Sequence, residues 1–124
     1  MYGSLRILVV DDDVDAANSF EMLLTSWGHK VVTSYDPVQA IDTAAAIQPD
    51  LVLLDIGMPR LNGYETCKQM RRRCPYPSPT IVAVSGSVMR EDRAKSREAG
   101  FDAHFAKPVD TQALQQLLAQ VPRV

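Results

Sequence analysis

The amino-acid sequence predicts an α/β fold in which a doubly wound, five-stranded parallel sheet carries helices on both faces. Five short apolar runs alternate with segments whose apolar residues follow helical spacing. Such regular alternation is typical of strand–helix–strand units, whose right-handed crossovers place helices on both sides of the sheet. Polar residues stand at the carboxyl ends of four of the runs. In sheets of this kind ligands bind outside the carboxyl ends of the strands, so a site is expected there.

The predicted strands are short and rich in branched apolar residues. Strands of a parallel sheet are buried on both faces, so their sequences are almost continuously apolar. The predicted strands are Leu5–Val10, Lys30–Ser34, Asp50–Leu54, Thr80–Ser85 and Ala103–Ala106.

The helices are predicted from apolar periodicity and from the residues at their ends. An aspartate before the first turn caps a helix, proline suits the first helical position, and a glycine past the last turn ends it. The aspartate caps are Asp36, which precedes Pro37, and Asp110, and the glycine stops are Gly28 and Gly100. The predicted helices run from Ala16 to Trp27, from Pro37 to Ile47, from Asn62 to Arg73, from Arg90 to Ala99 and over Leu114, Leu117 and Leu118.

Composition and charge disfavour several functional classes. With 124 residues, of which 46% are hydrophobic and 23% charged, the chain resembles one ordinary globular domain. A net charge of −2 argues against non-specific binding to nucleic acid or anionic membranes. No apolar stretch approaches the roughly 20 residues of a membrane span, and the first residues lack a secretory signal. We therefore expect a cytoplasmic protein, with Cys67 and Cys74 as free thiols.

Two of the predicted strands end in carboxylates. Asp11 and Asp12 follow the first strand, and Asp55 follows the third. An unpaired charge at the end of a buried strand is costly, so such residues are rarely there by chance. Because the carboxyl ends of parallel strands lie at one edge of the sheet, we expect one shared acidic pocket.

The residue types around this pocket indicate phosphoryl transfer. Clustered carboxylates repel one another unless one is protonated or a cation lies among them, and oxygen ligands favour Mg²⁺, with Mn²⁺ as an alternative. Lys107 offers a point charge for a phosphoryl oxygen and Ser85 a hydroxyl donor, while Gly86 leaves room for a group to approach the backbone. In phosphoryl transfer a protein mainly positions groups and offsets charge, as this set could do.

These residues, in this order, resemble the receiver domain of two-component response regulators. The matching motifs are Asp11-Asp12, Leu53-Leu54-Asp55-Ile56-Gly57-Met58-Pro59, Asn62-Gly63-Tyr64-Glu65, Val84-Ser85-Gly86 and Lys107-Pro108. Each motif is weak alone, but together they are specific and span nearly the whole chain. The resemblance implies a flavodoxin-like fold of strand order 2-1-3-4-5. It also implies one receiver domain over residues 1–124, without an output domain.

The resemblance assigns a role to each residue of the pocket. Asp55 would accept a phosphoryl group from a phosphohistidine. Asp11, Asp12 and Asp55 would bind Mg²⁺ with the backbone carbonyl of Gly57, and Asp11 would act largely through water. Lys107 would hold phosphoryl oxygens. Ser85 and Gly86 would do the same, and the Lys107-Pro108 bond is expected to be cis.

The resemblance also implies signalling partners rather than an enzyme. The chemistry would be Mg²⁺-dependent self-phosphorylation and self-dephosphorylation, although a parent hybrid protein could be a histidine kinase. A histidine kinase or histidine phosphotransfer protein would dock around Val14, Asn18 and Pro108-Val109. A downstream protein effector would bind the face formed by the fourth helix, last strand and last helix. No direct contact with nucleic acid or membrane is expected.

Three positions depart from the usual receiver pattern. His104 stands three residues before Lys107, where tyrosine or phenylalanine is common and rotates on activation. A histidine there could act as a smaller, pH-sensitive rotor, or it could be an edge-strand residue facing solvent. Gly57 stands two residues after Asp55 and lacks the polar side chain that influences dephosphorylation. Ser85 replaces the commoner threonine and keeps the hydroxyl.

A second interpretation is a phosphohydrolase of the haloacid dehalogenase type with Asp11 as the nucleophile. The segment Asp11–Val14 resembles the first motif of that family, and Ser85 and Lys107 resemble its second and third. Against it, no acidic motif follows Lys107, the chain leaves no room for a cap domain, and Asp55 has no role. A third interpretation is a receiver-like binding module that is never phosphorylated. It has no support, because every residue that the chemistry needs is present.

Overall fold

The computed structural model describes residues 4–57, 62–86 and 90–122, with backbone alone at 90–93. Met58 and Pro59 of the Asp55 motif lie outside this part. Within these ranges the chain forms five strands and five helices in strict alternation. They are β1 Arg6–Val10, α1 Val14–Ser26, β2 Lys30–Ser34, α2 Pro37–Ile47, β3 Leu51–Asp55, α3 Gly63–Arg73, β4 Thr80–Ser85, α4 Arg90–Ala99, β5 Ala103–Ala106 and α5 Thr111–Gln120.

The strands form one parallel sheet in the order β2-β1-β3-β4-β5, with helices on both faces. The predicted fold class and strand order are therefore confirmed. Two strands differ from the prediction, by one residue at each of three bounds. Asp55 is the last residue of β3 and pairs with Val84, whereas Asp50 precedes the strand. The Asp50 carboxylate instead accepts a hydrogen bond of 2.8 Å from the backbone N–H of Arg6, and β1 begins at that residue rather than at Leu5.

Each face of the sheet has its own apolar core. On one face, Ile7, Val9, Leu51 and Leu53 pack with residues of α1 and α5. On the other, alternate residues of the same strands pack with α2, α3 and α4. Val10 of β1 lies beside Leu54 of β3 in the register. Asp11 and Asp55 are the next residues after this pair, so they are neighbours at the carboxyl edge of the sheet. Because side chains alternate between the faces, both belong to the face covered by α1 and α5.

Short polar side chains begin four of the helices. A carboxylate or amide oxygen accepts hydrogen bonds from backbone N–H groups of the first turn, which satisfies donors that the helix leaves open. These caps are Asp13 for α1, Asp36 for α2, Asn62 for α3 and Asp110 for α5. Gly28 and Gly100, at φ of 93° and 104°, follow α1 and α4, as expected of glycine stops.

Arg71, in the last turn of α3, joins three parts of the chain. Its guanidinium donates to the carbonyl of Gly100, to the carbonyl of Pro79 and to the carboxylate of Asp102 at 2.7 Å. Asp102 also accepts a bond of 2.8 Å from the N–H of Ile81. This network fixes the start of β4 and the α4–β5 turn against α3.

Both cysteines are buried free thiols, as predicted. Burial raises the pKa of Cys67 to about 11, so the thiol is poorly reactive at neutral pH. None of the helices in the described ranges has the length and apolar character needed to cross a membrane.

Candidate functional site

Three carboxylates meet at the carboxyl edge of the sheet. Asp11 and Asp12 follow β1, Asp55 ends β3, and one oxygen from each lies within 4.8 Å of the others. Asp11 is only 3% exposed, Asp55 is half-buried and Asp12 is exposed. The predicted acidic pocket therefore exists, and its oxygen-only donors fit a hard divalent cation.

Asp11 is held from two sides. Its Oδ1 accepts a hydrogen bond of 2.9 Å from the N–H of Asp13, and its Oδ2 lies 3.4 Å from Lys107 Nζ. Burial raises the pKa of the Asp11 carboxyl above its ordinary value, and the charge of Asp55 adds to that rise. The bond from Asp13 and the charge of Lys107 oppose the rise but do not cancel it. A nearby cation would favour the charged form of Asp11 and so oppose this rise.

Asp55 is oriented by the loop that follows it. Its Oδ1 accepts a hydrogen bond of 3.0 Å from the N–H of Gly57, while Oδ2 lies 3.8 Å from Lys107 Nζ. The start of α3 packs closely on this loop, because the N–H of Gly63 donates to the carbonyl of Ile56 at 3.0 Å. A Cβ at Gly63 would lie 2.5 Å from Ile56 Cα, so this approach requires glycine.

Lys107 and Ser85 come from the ends of β5 and β4. The N–H of Lys107 donates to the carbonyl of Ser85 at 2.7 Å, and the Lys107-Pro108 peptide bond is cis, as expected. The Lys107 ammonium group reaches both Asp11 and Asp55. Among the described residues, no atom lies within 4 Å of a Cβ added at Gly86, which agrees with open space beside Ser85.

His104 does not face solvent as an isolated edge residue. It is half-buried, and its Nε2 lies 2.8 Å from Ser85 Oγ. The side chain is thus partly exposed on the edge strand and bonded to Ser85, and its role as a rotor stays a prediction. This hydrogen bond could not be predicted from local spacing, because it depends on the register between β4 and β5.

A groove of about 370 Å³ opens beside the acidic pocket, between α1 and the segment after β5. It is lined by Asp13, Ala16, Ser19, Phe20, Leu23, Lys107, Pro108 and Val109. Val14, at the start of α1, is 48% exposed. Pro108 and Val109 were predicted docking residues, whereas Phe20 and Leu23, which also line the groove, were not.

Comparison with known proteins agrees with this geometry. The family model described as "Response regulator receiver domain" matches residues 7–119. The chain belongs to the response regulator receiver domain family. Receiver domains are signalling modules of two-component systems rather than enzymes of the usual kind.

This receiver domain is similar to response regulators of known sequence and structure. Response regulator MprA of Mycobacterium bovis is 37% identical over 118 residues, which is 95% of this chain and 49% of that protein. The chain thus spans about half the length of this relative.

Two solved structures show the same fold. Chemotaxis protein CheY4 of Vibrio cholerae superposes with a TM-score of 0.88 at 23% identity, over 97% of this chain and all of that one (100%). The receiver domain of sensor histidine kinase PA1611 from Pseudomonas aeruginosa gives a TM-score of 0.85 at 28% identity, over 96% of this chain and 98% of that one. The latter was solved with a magnesium ion coordinated in its active-site cleft.

Proposed function

We propose that this receiver domain accepts a phosphoryl group from a phosphohistidine onto Asp55, in a Mg²⁺-dependent reaction, and then changes conformation to pass on a signal. The observation that carries this proposal is the cluster of Asp11, Asp12 and Asp55 within 4.8 Å, with Lys107 Nζ 3.8 Å from Asp55. Together these residues supply a nucleophile, a cation site and a counter-charge at one edge of the sheet.

The metal site would be formed by Asp11, Asp12 and Asp55, with the backbone carbonyl of Gly57 as a further oxygen ligand. Three clustered carboxylates with a raised Asp11 pKa fit a hard cation, and Mg²⁺ tolerates few protein ligands because it keeps several waters. When bound, Mg²⁺ would neutralise charge on the carboxylates and on the phosphoryl oxygens. The magnesium ion of the similar PA1611 receiver domain supports this choice.

Asp55 would be the nucleophile. Its Oδ1 is engaged by the Gly57 N–H, which orients the carboxylate and leaves Oδ2 on the Lys107 side. A carboxylate oxygen would form the new O–P bond as the P–N bond to the donor histidine breaks. The imidazole then leaves with the electron pair of that bond and takes up a proton from solvent. No redox change occurs.

Lys107, Ser85 and Gly86 would bind the transferred phosphoryl group. The transferred group itself carries about −1.5 to −2 units of charge, so cations and donors must approach it. Lys107 already lies within 4 Å of Asp55 Oδ2. The Ser85 hydroxyl would donate to a phosphoryl oxygen, and the space beside Gly86 would admit that oxygen near the backbone.

The partners would contact two separate surfaces. A histidine kinase or histidine phosphotransfer protein would use the groove between α1 and the Pro108-Val109 turn, since this groove opens beside the acidic pocket. A protein effector would bind the α4–β5–α5 face, to which Ser85 is linked through His104. Nothing in this proposal requires nucleic acid or a membrane.

Mapping the phosphorylated residue tests the proposal against the alternative with Asp11 as nucleophile. The protein is treated with acetyl phosphate and Mg²⁺, then with borohydride, which reduces an aspartyl phosphate to homoserine. Peptide mass spectrometry should find homoserine at position 55 in the wild type and none in Asp55→Asn. Homoserine at position 11, retained in Asp55→Asn, would overturn the proposal. The burial of Asp11 supports Asp55 as the acceptor, because the half-buried Asp55 is more accessible to a phosphodonor.

A further inference from the structure

Ser85 and His104 lie on the same face of the sheet, on neighbouring strands and offset by two residues. In the register, Ser85 of β4 faces Ala106 of β5, and His104 faces Ala83. Residues two apart on a strand share a face, so the two side chains are diagonal neighbours. Their Oγ and Nε2 atoms lie 2.8 Å apart, a normal hydrogen-bond length.

The direction of this bond decides what the Ser85 hydroxyl can do. A hydroxyl has one hydrogen to donate and two lone pairs, and each imidazole nitrogen either carries a hydrogen or accepts one. If Nε2 is bare, the hydroxyl donates its hydrogen to His104 and has none for a phosphoryl oxygen. If Nε2 carries a hydrogen, Ser85 accepts that bond and its own hydrogen stays available.

A phosphoryl group on Asp55 has only acceptor oxygens to offer. We propose that His104 is a positioning residue, whose Nε2–H donates to Ser85 Oγ and so directs the Ser85 hydrogen at the phosphoryl group on Asp55. The inference rests on the proposed function, because it needs a phosphoryl group at Asp55. It also gives Ser85 and His104 a chemical link, beyond a steric one.

The chain Asp55–phosphoryl–Ser85–His104 runs from the acidic pocket to the outer surface. His104 lines a second groove of about 340 Å³, together with Ser96, Arg97, Phe101, Asp102 and Ala103. This groove lies between α4 and β5, on the face proposed for the effector. A phosphoryl group that selects one hydrogen-bond direction at His104 would thus bias the orientation of a side chain that the effector can contact.

Two substitutions separate a positioning role from ring packing. His104→Phe keeps an aromatic ring but has no N–H to donate. His104→Gln loses the ring but restores an N–H donor on a flexible chain. If His104 acts through Ser85, His104→Phe should weaken the binding of a phosphoryl mimic only in a protein that retains the Ser85 hydroxyl. Thermal melting of every variant would show that each is folded.

Beryllofluoride, which mimics a phosphoryl group on a carboxylate, provides the binding test. With saturating Mg²⁺, calorimetric titration should show affinity about 3- to 10-fold lower in His104→Phe, the size expected for one lost net hydrogen bond. His104→Gln should recover part of this loss, and His104→Phe should have no added effect in a Ser85→Ala background. An equal loss in that background, or no loss at all, would overturn the inference.

A spectroscopic readout on the wild-type chain requires no variant. The ¹⁵N chemical shifts of the His104 ring should show a hydrogen on Nε2 in the complex with Mg²⁺ and beryllofluoride. A bare Nε2 in that complex would overturn the inference while leaving the proposed function intact. The proposed function itself fails if the wild type does not bind beryllofluoride, or if Asp55→Asn binds it with the same affinity. This inference then fails with it.

Discussion

Lys107 and Asp11, 96 positions apart in the chain, form an ion pair with an N–O distance of 3.4 Å. The same ammonium group lies 3.8 Å from Asp55, so it neutralises part of the charge of two carboxylates. A metal ion and Lys107 therefore act on the same negative charge. This competition has a measurable consequence.

Replacing Lys107 with glutamine should change metal binding and phosphorylation in opposite directions. Loss of a positive charge beside Asp11 and Asp55 should raise Mg²⁺ affinity several-fold, because like charges repel across such distances. Phosphorylation by acetyl phosphate should fall at least tenfold, because a charge-assisted contact to the phosphoryl group is lost. Calorimetric titration and intact-mass kinetics measure the two effects. Lys68→Gln, at an exposed position of α3, is the control and should change neither.

The raised pKa of Asp11 predicts a pH-dependent stability in the metal-free protein. Burial makes the folded state bind this proton more tightly than the unfolded chain, whose ordinary value is 3.8. The contribution of this proton to the free energy of unfolding is fully present below pH 3.8. It is lost as the pH rises through the folded-state pKa of Asp11. Asp11→Asn should remove this loss, so the metal-free variant should be more stable than the wild type at neutral pH.

Urea unfolding in the presence of a chelator, repeated with excess Mg²⁺, checks this second prediction. Mg²⁺ should stabilise the wild type and have much less effect on Asp11→Asn. Asp110→Asn is the matched control, because asparagine also caps a helix and Asp110 does not belong to the acidic cluster. A metal-free Asp11→Asn protein that is less stable than the wild type at neutral pH would contradict the prediction.

Gly63→Ala should distort the loop that orients Asp55. The added Cβ would lie 2.5 Å from Ile56 Cα and 3.0 Å from the carbonyl oxygen of Asp55, so the backbone must shift. Overpacking of this kind typically costs about 1–3 kcal/mol of unfolding free energy, and phosphorylation of Asp55 should slow as well. Gly86→Ala has open space around its Cβ and should change the unfolding free energy by less than about 0.5 kcal/mol. Equal costs for the two variants would rule out this explanation.

Arg71→Ala should destabilise the fold far more than the same change at the next residue. Arg71 is three-quarters buried, with 25% of its side chain exposed, and its loss leaves the Gly100 and Pro79 carbonyls and Asp102 without this donor. The expected cost is about 2 kcal/mol. Arg72 is exposed, and Arg72→Ala should cost less than about 0.5 kcal/mol. The comparison uses urea unfolding, and similar costs would show that the Arg71 network contributes little.

Much of the fold and site follows from short-range patterns in the sequence. The apolar runs define the strands because both faces of a parallel sheet are buried, and Asp36 and Asp110 cap helices by contacts within one turn. Asp11 and Asp55 could be placed together because both end central strands whose carboxyl ends share an edge. These inferences need only local spacing and the general geometry of parallel sheets.

Other features depend on packing that local spacing does not specify. The bond between Ser85 and His104 requires a particular strand register and a particular ring orientation. The guanidinium of Arg71 bonds to residues 29 and 31 positions away, and no local sequence pattern indicates these contacts. The burial of Asp11, which raises its pKa, depends on the tertiary fold around the end of β1 rather than on local spacing.

Intact-mass spectrometry tests the central claim most directly. The wild-type protein, incubated with acetyl phosphate, should gain one phosphoryl group in the presence of Mg²⁺ and almost none when a chelator removes the metal. Asp55→Asn should gain none under either condition, while the cap variant Asp110→Asn should behave as the wild type. A wild-type chain that stays unmodified with Mg²⁺, or an adduct that persists in Asp55→Asn, would contradict the assignment of Asp55 as the phosphoryl acceptor.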